Sequence, residues 1–298
     1  MVKQVIGNCA LCKSQNVMLE ESHIIPKFVY RYQFKNAFGK VRRLDNPKIP
    51  AQDSEKHYLL CGDCEDRFNV AETLFAAKIF RPYLNNQSKD FEYEEWLSYF
   101  IVSVNWRCLY LDITDFVEGG HIKIEDLEIL INSERIMKDY LLNKRDDICY
   151  IENHLFFFDD IKNCSDDISD LNSHHSIRGS QGGYTIYNEF SRTFGTISNL
   201  LGILIISLYS KGKDESWENT LIDLNLGRIA AKDQGMHSIF SNELIEMLQK
   251  INSSKSKLKK EVQSTIVEEI KKNPEEFKKS RTYREMAKDH KLRQHDYR

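Results

Sequence analysis

The chain has 298 residues, of which 41 % are apolar and 29 % charged, with only five prolines and 13 glycines. This is the composition of an ordinary globular protein with one large or two modest domains, and it excludes a disordered tail and long linkers. The net charge of −3 divides unevenly: residues 1–60 carry ten cations against five acids, residues 255–298 carry 14 against eight, and the body between them is left at −14. Two basic ends around an acidic body suit a polyanionic partner, or attract the body itself.

Met1-Val2-Lys3-Gln4 runs into the first cysteine pair without an apolar signal segment. The most apolar stretch, Ile197 to Tyr209, is shorter than the roughly 20 residues a membrane span needs. A cytoplasmic protein without a membrane partner is expected.

In chain order, residues 1–22 read as a cysteine knuckle followed by a short strand from Asn16 to Glu20. Residues 24–43 mix aromatic and basic side chains, and the polar segment 44–56, with two prolines, reads as an irregular loop. A second short strand, His57 to Leu60, leads into the second knuckle. From Cys64 a helix runs to Phe80, with Phe68, Ala71, Phe75 and Ile79 on one face, and Arg81-Pro82 ends it. Helices follow at about 92–112 and 123–144. Residues 148–231 turn β-rich and predict a small antiparallel sheet from Cys149–Phe158, Tyr184–Phe190, Phe194–Tyr209 and Thr220–Ile229. Gly182-Gly183 serves there as a turn, and 197–209 has room for one helix. After Ser238 the pattern is helical and charged, and Asn273-Pro274-Glu275-Glu276 is a well-formed helix start. The expected units are 1–82, 83–237 and 238–298.

Seven cysteines in such a chain do not suggest a disulfide framework. Cys108, Cys149 and Cys164 read as structural thiols. The other four form two C-x2-C turns, Cys9-Ala10-Leu11-Cys12 and Cys61-Gly62-Asp63-Cys64, each presenting two thiolates at the separation a tetrahedral zinc requires. A redox reading lacks the βαβ context it needs. With four protein ligands the zinc is structural and closed to chemistry.

Between the knuckles lies Glu20-Glu21-Ser22-His23-Ile24-Ile25-Pro26-Lys27. Here, over residues 9–80, the chain resembles the HNH endonuclease family, in which a histidine of a His-Ile-x-Pro segment ends the first strand of a zinc-stapled ββα-metal finger. His23-Ile24-Ile25-Pro26 matches that element, and Leu60-Cys61-Gly62-Asp63-Cys64-Glu65 matches the helix start that completes the site. The resemblance implies a treble-clef-like ββα-metal finger, which with the helices, small antiparallel sheet and helical C-terminus read along the chain makes an α+β fold. It also implies His23 as general base and, by position, Glu65 as a ligand of a catalytic magnesium or manganese ion. Glu21, if the strand end twists, and Asn69 are further candidate ligands by their placement, and Glu72 lies two helical turns beyond Glu65 on the same face. The chain departs from the family at Ser22, where an aspartate or histidine is usual, at Glu65, where a second histidine is usual, and at Lys56 or His57, where an asparagine is usual.

The segment after His23 interleaves cations with aromatics. Lys27, Arg31, Lys35, Lys40, Arg42 and Arg43 suit phosphates, and the aromatics suit either base stacking or packing into the finger. The basic C-terminal run from Lys278 to Arg293 suits a second phosphate contact, a solvated helix or a docking tail. His174-His175 reads as part of a Ser/Asn/Asp-rich loop; the pair could bind metal, but without matched carboxylates it reads as incidental. No P-loop or dinucleotide fingerprint is present.

The expectation is a metal-dependent nuclease acting on nucleic acid, DNA first. Proteins of this look are often anti-phage effectors controlled by a partner ATPase or sensor, which is implied by the resemblance alone. The alternative is a catalytically inactive zinc module that binds nucleic acid or a protein.

Overall fold

The computed structural model describes residues 4–42, 49–120, 122–158, 171–256 and 260–295. Arg43, Cys164 and part of the expected 44–56 loop lie outside the described residues.

Strands β1 (Val5–Gly7), β2 (Val17–His23) and β3 (Lys56–Cys61) form an antiparallel sheet in that order. Both expected finger strands are present and longer than their apolar cores suggested. Helix α1 (Lys27–Asn36) follows β2, opened by Pro26 at its N-cap. Helix α2 (Gly62–Phe75) starts within the second cysteine turn, with Asp63 and Glu65 at the positive end of its dipole.

Pro82 does not end this helix as expected. A π-helical turn at Ala76–Phe80 intervenes, in which the Arg81 N–H reaches back five residues to the Ala76 carbonyl. The widened turn makes room for a ring that would otherwise clash with the preceding carbonyls. The rod then continues as α3 (Arg81–Leu84) and stops at Asn85.

Strand β4 (Asp90–Tyr93) leads into α4 (Glu95–Gly119), which ends at Gly120 in the left-handed region, and α5 (Ile124–Leu141) follows. Then come β5 (Glu152–Phe157), α6 (Ser173–Arg178), β6 (Gln181–Asn188), β7 (Thr193–Leu200), β8 (Ile203–Ser210), β9 (Ser216–Glu218), β10 (Gly227–Ala230) and β11 (Gly235–His237). The main sheet is antiparallel in the order β5-β8-β7-β6, and β10 pairs with β4 and β11 with β9. Helices α7 (Ile239–Ser256), α8 (Lys260–Lys272), α9 (Pro274–Lys279) and α10 (Arg281–His295) close the chain.

Three expectations in the β-rich segment are corrected. Residues 197–209 hold no helix but a tight hairpin, because Leu201 and Gly202 both take positive φ (59° and 92°). Gly182-Gly183 is not a turn but lies inside β6, where a Cβ on Gly183 would sit 2.5 Å from Ser198 Oγ and 2.7 Å from Cys108 Sγ. His174 and His175 belong to a short helix rather than a loop. Of the three isolated thiols, Cys108 is buried as expected, whereas Cys149 is exposed.

The main sheet is covered on both faces, which is why its strands read as unbroken apolar runs. Ile203 and Ile205 join Phe75, Phe100 and Phe157 in one cluster, while Leu204, Ile206 and Leu208 pack with Phe240 and Leu244 of α7 in another. Alternate residues of one strand thus serve two cores. The first cluster includes Ile25 and Val29 of the finger, and Phe75 stacks on Phe100 of α4 at 4.0 Å between ring centroids. A third cluster surrounds the cysteines with Phe68, Trp106, Leu109 and Met137. Where α4 crosses the sheet it carries polar residues, and these are paired: Asn105 donates to Ser207 Oγ (2.9 Å) and accepts from Ser198 Oγ (2.9 Å), and Ser207 donates to Asn153 Oδ1 (2.8 Å).

The basic C-terminal run docks rather than floats. Asp289 accepts the backbone N–H groups of His174 and His175 (2.8 and 2.9 Å), Arg281 donates to the Leu201 carbonyl (2.8 Å), and Arg293 to Asn172 Oδ1 (2.6 Å).

Candidate metal centre and the histidine beside it

The first knuckle is a turn closed by the Lys13 N–H on the Cys9 carbonyl (3.0 Å), and it is tied to β3 by the Ala10 N–H on the Leu59 carbonyl (2.9 Å). The second lies where β3 becomes α2. Antiparallel pairing of β2 with β3 sets Leu19 opposite Cys61 and so brings the two turns together.

Ligand atoms of Cys9, Cys12, Cys61 and Cys64 all lie within 4.8 Å of one another. A tetrahedral ion with metal–sulfur bonds of about 2.3 Å needs sulfurs about 3.8 Å apart, and Cys12 Sγ and Cys61 Sγ are 3.8 Å apart. Cys9 Sγ also accepts the Cys61 N–H at 3.4 Å. Burial pushes the Cys61 and Cys64 thiols up; at Cys12 it does the same, but the Ser14 hydroxyl and amide and the neighbouring sulfurs outweigh it and bring that thiol to about 6. The set can hold a metal ion such as zinc. Among the described residues no other group of three or more His, Cys, Asp or Glu ligands converges in this way.

A β-bulge between Glu20 and Glu21 resets the alternation of β2. Ser22 therefore turns inward, at 1 % exposure, and Glu21 turns out to Lys56 (2.6 Å). Ser22 lies beside Glu65 of α2. Ser22 Oγ and Glu65 Oε1 are both buried, and apart from their approach to each other neither has a hydrogen-bond partner among the described residues. Burial raises the Glu65 carboxyl above its usual range; Glu72 and Glu20 push it the same way, against Ser22 and Arg107. Asn69, one turn along α2 from Glu65, is exposed.

His23 ends β2 with 13 % of its side chain exposed. Its Nδ1 lies 2.8 Å from Ser54 Oγ and 4.0 Å from Asp53 Oδ1, in the segment that leads into β3. Burial lowers its pKa, Lys27, Lys56 and Arg107 lower it further, and Asp53 alone opposes them. At neutral pH the ring is an uncharged base, oriented through one nitrogen and with the other unengaged among the described residues. Its ring is thus directed to the Asp53–Ser54 segment, while its neighbour Ser22 faces Glu65.

Arg107 of α4 ties the two halves together. It donates to the His23 carbonyl (2.8 Å) and to Glu72 Oε1 (2.8 Å) and lies over the Phe68 ring at 5.2 Å. Glu72 is therefore engaged by an arginine. Sequence reasoning missed Arg107, Asp53 and Ser54. The signal for Arg107 was a lone cation inside the apolar run of α4; a polar loop gave none for the others.

The cations after His23 divide between two faces. Lys27, Arg31 and Lys35 are exposed at four-residue steps along α1, about 6 Å apart along the helix axis. Lys40 is exposed and Arg42 half-buried past its end. The aromatics split likewise. Phe28 and Tyr32 pack edge-on against Phe80 (5.0 and 5.4 Å), whereas Tyr30 and Phe34 pair with each other (4.2 Å) on another side.

Among the described residues no helix is long and apolar enough to cross a membrane. No family model, curated protein or solved structure matches the chain.

Proposed function

We propose that the four cysteines hold zinc and that the protein is an HNH-like nuclease hydrolysing phosphodiester bonds of nucleic acid, DNA first. The observation that carries the reading is His23: a neutral imidazole at the end of β2, oriented through Nδ1 by Ser54 and Asp53. It stands directly before a helix whose exposed face carries Lys27, Arg31 and Lys35.

His23 takes the proton of the attacking water through its second ring nitrogen, for which a pKa at or below neutrality is the useful range. Asp53 and Ser54 hold the tautomer. Arg107, bonded to the His23 carbonyl, fixes the strand end against α2. Glu65, whose buried Oε1 lies beside the Ser22 hydroxyl, would supply the carboxylate for a hard cation such as magnesium or manganese, which binds through one or two carboxylates and takes its remaining ligands from water and phosphate. When bound, that cation supplies stabilisation of the charge developing on the phosphate and the leaving oxygen. The α1 cations guide the strand. Control by a partner ATPase or sensor, as in anti-phage effectors, rests on the family resemblance.

A second reading, an inert zinc-braced module that binds nucleic acid or protein, is favoured by one observation. The Arg107 cation and the burial of Glu65 both weigh against a divalent ion at Ser22 and Glu65. One assay separates the two: cleavage of supercoiled plasmid and of single-stranded DNA with magnesium or manganese. Wild type cuts, and His23→Ala loses about 10²- to 10⁴-fold in rate, the usual worth of a general base. Glu65→Ala also loses activity, and both variants keep their zinc. Full cutting by His23→Ala, or binding without cutting by wild type, removes the nuclease reading.

A further inference from the structure

Between the finger and the C-terminal helices lies a cavity of about 1670 Å³. Its walls come from α1, the segment leading into β3, the start of β6 and residues of α7 to α10. The finger and the C-terminus meet around it. Gln33 donates to the Gly179 carbonyl (2.6 Å), the Phe38 N–H to Thr282 Oγ1 (3.0 Å), and the rings of Phe38 and Phe277 contact at 5.1 Å.

The start of β6 brings a free sheet edge into this space. β6 is an outer strand of the four-stranded main sheet, and it pairs with β7 in unbroken register from Gln181 opposite Leu200 to Asn188 opposite Thr193. The Thr185 N–H leaves that ladder and donates to Asp112 Oδ2 of α4 (2.6 Å). In an antiparallel pair the N–H and C=O of every second residue point to the partner strand, and those between point away from it. Gly183 and Gln181 therefore share the outward direction of Thr185, and their edge groups find no hydrogen-bond partner among the described residues. Gln181 Oε1 is a further buried acceptor without a donor.

Asp112 thus seals the edge at Thr185 and leaves it open from Gln181 to Tyr184, four residues that all line the cavity. Free edges are ordinarily blunted by charge, proline or a covering element. Gln181-Gly182-Gly183-Tyr184 has neither charge nor proline, and its two glycines let another backbone approach closely. The other walls are apolar and underfilled. Phe34 keeps 37 % exposure, Met247 of α7 and Ile266 and Ile270 of α8 are only half-buried, and α8 buries none of its residues.

We propose that this cavity binds an extended, apolar-rich peptide segment of a partner protein, added to β6 as a fifth strand of the main sheet. Its backbone pairs with the edge groups of Gln181 and Gly183, and alternate side chains enter the apolar walls. Four residues of edge, about 13 Å long, match a short segment. The surrounding helices keep a second sheet away from the edge, so the occupant is a single strand and not another copy of this chain. The volume exceeds the roughly 300–1,000 Å³ of a typical small-molecule pocket, as a peptide requires. His23 is not on the lining, so binding stands apart from hydrolysis.

The test starts from a phage-displayed library of random octapeptides selected on the immobilised full-length protein. The strongest binder is synthesised with fluorescein and followed by anisotropy. Wild type and His23→Ala bind it alike. Ala37→Trp, which fills the cavity, and Ile266→Glu, which sets a charge on its apolar wall, each weaken binding at least about tenfold. N-methylation of the peptide nitrogens, one at a time, reads the backbone pairing: losses of about tenfold or more fall at every second residue, with little change between. That scan uses wild-type protein and so holds even where a variant misfolds. Failure to select any peptide overturns the proposal. So does binding that a folded Ala37→Trp leaves unchanged, or a methyl scan without alternation. Binding of a fluorescein-labelled oligothymidylate that Ala37→Trp abolishes, with no peptide selected, assigns the cavity to single-stranded nucleic acid instead.

Discussion

At the scale of single residues, the chemistry rests on how burial treats ionisable groups. The folded-state pKa of His23 lies below its ordinary value of 6.5, so on the proposed nuclease reading the acid limb of cleavage falls below that pH. Asp53 is the one neighbour that raises it. Asp53→Asn therefore moves the midpoint of the pH–rate profile to still lower pH, and a midpoint moving upward contradicts the assignment. His154 offers a check on stability that is independent of cleavage. Buried, bonded to Thr220 Oγ1 (2.9 Å) and stacked near Trp217 (4.5 Å), it is brought down to about 4 chiefly by burial. Its neutral form stabilises the fold above pH 6.5, and that contribution, worth about 3 kcal/mol at the usual exchange rate, is lost as pH falls toward 4. His154→Gln is less stable than wild type at pH 7, and the gap in melting temperature narrows on acidification. Arg107→Met strands Glu72 and the His23 carbonyl together. It costs about 3–5 kcal/mol by denaturant unfolding, as breaking a buried pair does, with zinc retained.

At the scale of elements, the knuckles, both finger strands and the helix behind them were legible because thiolate spacing and alternation are local signals. The bulge in β2 was not. Whether Ser22 or Glu21 faces α2 depends on one inserted residue in the pairing with β3, which period-two reading cannot see. The same limit explains residues 197–209. A strand pair buried on both faces gives a continuous apolar run, and only the left-handed Leu201-Gly202 corner separates two strands from one helix. The aromatic-basic segment hid a helix with three jobs: a core face at Val29 and Gln33, an exposed cationic edge, and a cavity wall. The cationic edge has its own expected outcome. Replacing Lys27, Arg31 and Lys35 by Gln lowers the slope of log affinity against log salt for DNA by about three, and an unchanged slope removes α1 from the interface.

At the scale of the whole molecule, the C-terminal end is bound to the body by an ion pair of reversed sense, Arg178 of the body with Glu285 of the end, and by Arg281 on the Leu201 carbonyl. The exposed cations of α1 are the ones the proposed reading assigns to a polyanion. The finger shares a core with the body through Ile25, Val29 and Phe75, and the cysteines pack against Trp106 and Leu109 of α4. Metal removal by a chelator is therefore felt throughout. One unfolding transition moves to lower temperature, whereas separate melting of the finger with the body unshifted contradicts the shared core. The central claim is that the imidazole at position 23 performs the proton transfer in phosphodiester cleavage. Chemical rescue tests it most directly: cleavage of plasmid by His23→Ala with imidazole added to the buffer. The account predicts an inactive variant whose cutting returns in proportion to free-base imidazole. A variant that cuts at the wild-type rate without imidazole contradicts it.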